Sequence, residues 1–144
     1  MSLNCTKPQN KIYKAMRTYL SIKEMEKLKR LGVDISEASM VHVKNGSTVK
    51  CVPKDLLPIL KDFKEENIVI DSFTLTDIFL LLPANIIGKD GKAHGFVLQS
   101  GYPYGYSFRY EGVSPLFYDN NMLMTAYKAL CWLAKNGYLN DEEN

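Results

Sequence analysis

Histidine and cysteine are scarce in this sequence of 144 residues, which contains two histidines and three cysteines. The cysteines are odd in number, far apart and without a C-x-x-C pair. They therefore predict reduced thiols in the cytoplasm rather than a disulfide framework or a zinc site. No other candidate ligand stands at metal-binding spacing from His42. We expect neither a metal nor another cofactor.

Catalytic motifs are also missing. The sequence has no G-x-S-x-G, P-loop, dinucleotide-binding glycine pattern or H-E-x-x-H motif. His94 alternates with Phe96 and Leu98, which is typical of a satisfied, partly buried histidine in a sheet. Cys131 lies inside a predicted helix, away from the helix N-terminus that would activate a thiol. We expect a protein that is not an enzyme and has no catalytic residues.

Long apolar runs are absent as well. The longest, "IFLLLPANII", is interrupted by Pro83 and Asn85 and is shorter than the ~20 residues that a membrane-spanning helix needs. Residues 1–15 are polar and basic, without the apolar centre of a signal peptide. The sequence therefore predicts a cytoplasmic protein without a membrane partner.

What the sequence does contain is enough apolar material for one domain, since 46% of the residues are hydrophobic. Charge is unevenly placed, with eight basic and two acidic residues between Lys7 and Arg30. We divide the chain into a flexible basic leader (1–15), a single α+β domain (16–139) and an acidic tail (140–144).

The segment "SIKEMEKLKRLG" predicts the N-terminal helix. Ser21 and Glu24 have the spacing of a capping box, and the apolar stripe is thin, so the helix should lie on the surface. Its exposed face carries a basic surface, which we predict at Lys23, Lys27 and Arg30.

Three further helices are predicted. "PKDLLPILKDFKEEN" predicts one short helix that starts at either Pro53 or Pro58. "SFTLTDIFLLLP" predicts another, capped by Thr74 with Asp77 at N3, and apolar enough to be well buried. "NNMLMTAYKALCWLAKNGYL" predicts the C-terminal helix, capped by Asp119 or Asn120.

The strands are indicated by turn signals. Asn45-Gly46 lies between β-branched residues and predicts a hairpin over residues 40–52, with His42 as a surface or rim histidine. Asp90-Gly91 predicts a second turn that opens a meander. We predict an α+β fold, in which this small antiparallel meander is covered by the C-terminal helix and accompanied by the N-terminal helix, the hairpin and two short helices.

The stretch "YPYGYSFRY" has an aromatic residue at every second position. Pro103 and Gly105 favour a loop in its first half, so Tyr106, Phe108 and Tyr110 are predicted to lie under the C-terminal helix. The loop residues Tyr102 and Tyr104, with Arg109 near by, are predicted as a binding surface.

Three segments occur in a set order: "SIKEMEKLKRLGVDISEASM", "SFTLTDIFLLLP" and "MLMTAYKALCWLAKNGYL". With this order and spacing, residues 16–139 resemble a family of small proteins of gut Bacteroidales and of their prophages and other mobile elements. The family has no assigned function or catalytic residues, so the resemblance implies a mobile-element origin and no activity.

We predict a non-catalytic binding or adaptor protein that contacts an unidentified protein partner or a second copy of itself. The alternative is a nucleic-acid-associated protein that uses the basic N-terminal end and the loop tyrosines. From residue 71 onward the chain has five basic and eight acidic residues. This local negative charge disfavours the nucleic-acid alternative.

Overall fold

The computed structural model describes residues 17–60, 64–101 and 105–139. Within these ranges it contains a three-stranded and a four-stranded antiparallel sheet together with α-helices, which confirms the predicted α+β class. The predicted leader (1–15) and acidic tail (140–144) lie outside the described residues.

Helix α1 spans Ile22–Arg30 and begins as predicted. The Ser21 hydroxyl accepts a hydrogen bond from the Glu24 backbone N–H at 3.2 Å, and the Glu24 carboxylate accepts one from the Ser21 N–H at 2.8 Å. This capping box satisfies backbone donors that the start of a helix leaves without intrahelical partners. Met25 and Leu28 are fully buried, so α1 is a surface helix with one inward face.

The three-stranded sheet has the order β2-β1-β3. Its strands are β1 (Met40–Asn45), β2 (Thr48–Pro53) and β3 (Ile68–Ser72). The predicted hairpin is confirmed, but Asn45 pairs with Thr48, so the two-residue turn consists of Gly46 and Ser47. The turn therefore lies one residue later than predicted, with the positive φ of +68° at Gly46.

Strand β1 is buried on both faces, since Val41, His42 and Val43 are all buried. Between β2 and β3, the segment Lys54–Ile59 contacts β2 and the segment Glu65–Asn67 contacts β1. On the other face, His42 Nε2–H donates to the carbonyl oxygen of Leu20 at 2.9 Å. The expectation of a surface or rim histidine is wrong, because His42 is 5% exposed and is covered by backbone distant in sequence.

The segment predicted as one short helix contains two 3-10 helices, Lys54–Ile59 and Glu65–Asn67. Pro58 lies inside the first, where it has no N–H to donate and its ring would clash in a continuous α-helix. Ile59 is 76% exposed. Neither 3-10 helix contains a buried residue, so the apolar side chains here do not form the regular buried face of an α-helix.

Helix α2 spans Leu75–Leu81 and has the predicted capping box of Thr74 and Asp77. It ends before Pro83, which disfavours helical conformation at the preceding residue. Ile78 is fully buried, but Leu80 is 81% exposed. The prediction of a well-buried helix is therefore correct for one face only.

The four-stranded sheet is a meander with the order β4-β5-β6-β7. Its strands are β4 (Asn85–Ile87), β5 (Ala93–Gly101), β6 (Gly105–Tyr110) and β7 (Phe117–Asp119). The Asp90-Gly91 turn lies between β4 and β5, as predicted. Residues 102–104, between β5 and β6, are not described.

Helix α3 spans Met122–Lys135. Its N-cap is Asn121, whose Oδ1 accepts hydrogen bonds from the N–H groups of Leu123 and Met124 at 2.8 and 3.3 Å. Both predicted caps are wrong, because Asp119 ends β7 and its carboxylate accepts from the Asn121 N–H at 3.0 Å. The helix thus starts one residue after the turn that Asp119 stabilises.

Helix α3 lies between two apolar cores. Toward α1 and α2 it contributes Leu123, Ala126, Tyr127, Leu130 and Cys131. Toward the meander, Ala129 and Leu133 pack with Phe108 and Tyr110 of β6, which confirms these two rings as the floor beneath the helix. Tyr106 is half-buried. Among the described helices, none is long and apolar enough to cross a lipid bilayer.

Candidate binding sites

The predicted tyrosine surface falls mostly outside the described residues. Tyr102 and Tyr104 belong to the segment 102–104, so the structure describes only Arg109. The Arg109 guanidinium donates to Gln99 Oε1 at 3.3 Å and to Glu111 Oε2 at 3.2 Å. Its charge is therefore offset by the carboxylate of Glu111, which directly follows β6.

The predicted basic surface lies on α1. Lys23, Lys27 and Arg30 are spaced by four and three residues, which places them on one face of the helix. Lys23 and Arg30 are exposed and Lys27 is half-buried. Glu24 does not offset their charge, because its carboxylate accepts two hydrogen bonds from Arg17 at 2.9 and 3.0 Å.

A shallow trough runs between α1 and β3, and we name it the α1–β3 trough. One groove of about 570 Å³ is lined by Glu26, Lys29, Arg30, Val69 and Ile70. A second groove of about 410 Å³ shares Lys29, Val69 and Ile70 and continues along residues 33–36. Strand β3 is an edge strand, and Val69 is 39% exposed. The trough therefore combines apolar strand surface with two cations at the end of α1, Lys29 and Arg30, and with three acidic residues in its lining: Glu26, Asp34 and Asp71.

A second cavity of about 460 Å³, the His94 cleft, lies where the β4–β5 turn and the β6–β7 connection meet the end of α3. Its walls include Lys89, Asp90, His94, Trp132 and Tyr138. The Trp132 and Tyr138 rings are stacked, with centroids 5.3 Å apart and planes 16° from parallel. The cleft thus has an aromatic wall facing charged and polar groups.

His94 is held at both ring nitrogens by oxygen atoms. Nδ1 lies 2.9 Å from the carbonyl oxygen of Glu111, and Nε2 lies 3.1 Å from Asp90 Oδ1. Neither oxygen has a proton to donate, so both contacts are hydrogen bonds only when the ring is an imidazolium with two N–H groups. The hydrogen bond with Asp90 accordingly raises the pKa of His94. The sequence expectation of a satisfied, partly buried histidine is confirmed.

Two glycines allow this close approach. A Cβ at Gly88 would lie 2.9 Å from both Asp90 Oδ1 and His94 Cδ2. At Gly112, where φ is +85°, it would lie 3.3 Å from His94 Nδ1. The ion pair of Asp90 and His94 is therefore fitted to its backbone rather than being a chance surface contact.

The described cysteines lack the environment of a reactive thiol. Burial raises the pKa of Cys51 and of Cys131, the opposite of the change that activates a nucleophile. Within residues 17–60, 64–101 and 105–139, no three histidine, cysteine or acidic side chains are grouped as metal ligands would be.

A third cavity, of about 660 Å³, lies at the start of α3, and its lining consists of Arg17, Thr18, Thr74, Leu75, Thr76, Tyr106, Asn120, Asn121, Met122 and Leu123. The Arg17 guanidinium is engaged by Glu24 and by the sulfur of Met124. Two more of its polar side chains are also engaged, since Thr74 caps α2 and Asn121 caps α3.

Comparison of the chain with protein-family models, with curated proteins and with solved structures gave no match.

Neither the α1–β3 trough nor the His94 cleft is predicted from the sequence, because each is formed by segments that are distant in the chain. The trough needs β3, which a three-residue apolar run only hints at, beside the end of α1. The cleft needs Trp132 and Tyr138 beside the β4–β5 turn. The available local signal was the four-residue spacing of Asp90 and His94 around a turn glycine.

Proposed function

We propose that this protein is a non-catalytic cytoplasmic adaptor, of mobile-element origin, that binds a peptide segment of a protein partner in the α1–β3 trough. The observation that carries the proposal is an exposed apolar edge strand beside two cations. Val69 supplies apolar surface, and edge strands offer unpaired backbone groups to an incoming chain. Lys29 and Arg30 supply positive charge at one end.

The same features define the partner segment. Apolar side chains would cover Val69 and Ile70, and one or two carboxylates would pair with Lys29 and Arg30. A nucleic acid is a poorer fit, because Glu26 lines the groove and Asp34 lies farther along it. Phosphates repeated at every nucleotide would meet these carboxylates, whereas a peptide can place its acidic residues at one end only.

The test uses two fluorescein-labelled decapeptides that differ only in their charged positions. Both carry valine in the centre, and one carries glutamate and the other lysine at one end. Fluorescence anisotropy should show saturable binding of the glutamate peptide by the full chain and at least tenfold weaker binding of the lysine peptide. The double variant Lys29→Glu, Arg30→Glu should reverse that preference.

Two controls make the outcome specific. Lys44→Glu, Lys50→Glu has the same charge change on the exposed β1–β2 hairpin and should bind like the unmodified chain. Val69→Ser should weaken both peptides without changing their ranking. Equal binding of the two peptides, or loss of binding in the hairpin variant, would refute the trough as the docking site. A single-stranded oligonucleotide that outcompetes the glutamate peptide would favour the nucleic-acid alternative.

A further inference from the structure

The His94 cleft has the volume of a small-molecule site, and its lining has two distinct parts. Its volume of about 460 Å³ lies within the range of roughly 300–1,000 Å³ typical of ligand pockets. One part is the stacked pair of Trp132 and Tyr138. The other is the β4–β5 turn with its charged side chains. A ligand that uses both parts must have a flat ring and a polar group.

Charge determines which polar group fits. Lys89 lines the cleft, and Lys92 lies close enough to act on the charge of His94. With His94 as an imidazolium, the lining has two positive charges, Lys89 and His94, and one carboxylate, that of Asp90, while Lys92 adds positive charge near the cleft. The Asp90 carboxylate is already engaged by His94 and by the backbone N–H of Lys92 at 2.9 Å. The turn therefore favours an anionic group over a cation or a neutral one.

The aromatic wall determines the ring. A planar heteroaromatic ring gains binding free energy by stacking on an aromatic side chain. Asn136 lies at the rim of the same wall, and its Nδ2 donates to the Trp132 carbonyl oxygen at 2.8 Å. Its Oδ1 is the acceptor that remains for an amino group on the edge of a base.

From these observations we infer that the His94 cleft binds a nucleoside monophosphate, with the base against Trp132 and Tyr138 and the phosphate toward Lys89. The same chemistry is presented by a free nucleotide and by the phosphorylated end of a nucleic acid strand. The site is separate from the α1–β3 trough and shares no lining residue with it.

The cleft has a built-in reporter, because Trp132 is the only tryptophan of the chain. The full chain is titrated with AMP, adenosine and inorganic phosphate, and Trp132 emission is recorded with excitation at the red edge of its absorption band. We expect AMP to change the emission saturably and to bind at least tenfold more tightly than adenosine or phosphate alone. Such a result would show that both the base and the phosphate of AMP contribute to binding.

Two variants test which lining residue binds the base and which binds the phosphate. Tyr138→Leu keeps the bulk but removes the stacked ring, and should weaken AMP about tenfold. Lys89→Gln should bring the affinity for AMP down to that for adenosine. Lys44→Gln, on the distant hairpin, is the charge-matched control and should change nothing. Circular dichroism of each variant verifies that the fold is kept.

Several results would overturn the inference. They are the absence of a saturable response to AMP, equal affinity for AMP and adenosine, and indifference of AMP binding to both cleft variants. Titration with a 5′-phosphorylated tetranucleotide distinguishes the sources. Tighter binding of the tetranucleotide assigns the site to a strand end, and tighter binding of AMP assigns it to a free nucleotide.

Discussion

Replacement of Asp77 tests how α2 is joined to the start of β1. Asp77 Oδ2 accepts hydrogen bonds from the Thr74 N–H at 2.8 Å, from the Ser39 N–H at 3.0 Å and from the Ser39 hydroxyl at 2.8 Å. The side chain is buried. One carboxylate therefore caps the helix and also holds a residue 38 positions earlier in the chain.

The expected loss follows from those contacts. A hydrogen bond to a charged group contributes about 1.5–3 kcal/mol, and removing the acceptor leaves its donors unsatisfied. Ser39 is exposed, so its hydroxyl regains water, and the loss is governed by the two backbone N–H groups. We expect Asp77→Ala to lower the free energy of unfolding by about 3 kcal/mol, and Asp77→Asn, which keeps one oxygen, by about half of that.

Urea denaturation followed by circular dichroism at neutral pH measures both changes. Asp34→Ala is the matched control, because Asp34 is exposed and accepts only a local bond from the Ser36 N–H at 2.9 Å. It should leave the midpoint unchanged. A loss for Asp77→Ala below about 0.5 kcal/mol, the usual range of surface substitutions, would refute the reasoning.

The pH dependence of the Asp77 effect has a definite sign. Burial alone would raise the pKa of Asp77, but the hydrogen bonds from Thr74 and Ser39 outweigh it and hold the pKa below its ordinary value. A carboxyl whose folded pKa is depressed stabilises the fold above its unfolded pKa, and the contribution is lost as the pH falls through the folded pKa. The difference between the unmodified chain and Asp77→Asn should therefore shrink on acidification. A difference that grows would contradict this assignment.

Three further predictions follow from other contacts. Phe108→Ala should lower the free energy of unfolding, measured by urea denaturation, by about 3–5 kcal/mol, because the ring is fully buried in the meander core. A decrease of less than about 1 kcal/mol would contradict that packing. Glu24→Ala should cost about 1–2 kcal/mol by removing the capping box and the pair with Arg17. Burial alone would raise the pKa of Glu24, but the hydrogen bonds that it accepts, first of all from Arg17, outweigh burial and lower the pKa. The loss of stability in Glu24→Ala should therefore become smaller at acidic pH. A loss that does not change with pH would refute the contribution of the ion pair. The pKa of His94 is raised in the folded protein, so its hydrogen bond with Asp90 stabilises the fold below the pKa that the histidine has in the unfolded chain. This contribution is lost as the pH rises through the pKa of the folded state. NMR titration of the imidazole ring should show the raised pKa, and Asp90→Asn should lower it.

Local rules in the sequence predicted much of the fold. Capping boxes at Ser21 and Thr74 placed both helix starts, because a cap is decided within four residues. The meander and its buried rings followed from alternation and turn glycines. The predictions failed where a distant segment decides the outcome, as for His42, which is covered by the backbone of Leu20.

The candidate sites were harder to predict for the same reason. Of the residues predicted to bind, Arg30 lines the α1–β3 trough, while Arg109 is occupied by Glu111. Lys29 was left out, although it lines both grooves of the trough. The spacing of polar residues in the sequence identifies the exposed face of a helix. It does not show which side of that face lies next to a neighbouring strand.

The position of α3 between two cores has a consequence for how the chain is made. Both cores are incomplete without residues from α3, and those residues follow every strand in the sequence. The core that α3 shares with α1 and α2 and the core of the meander therefore cannot mature one after the other as the polypeptide leaves the ribosome. Synthesis must pass Lys135 before either core reaches its final packing, and until then the apolar residues of both cores are exposed to association with other chains.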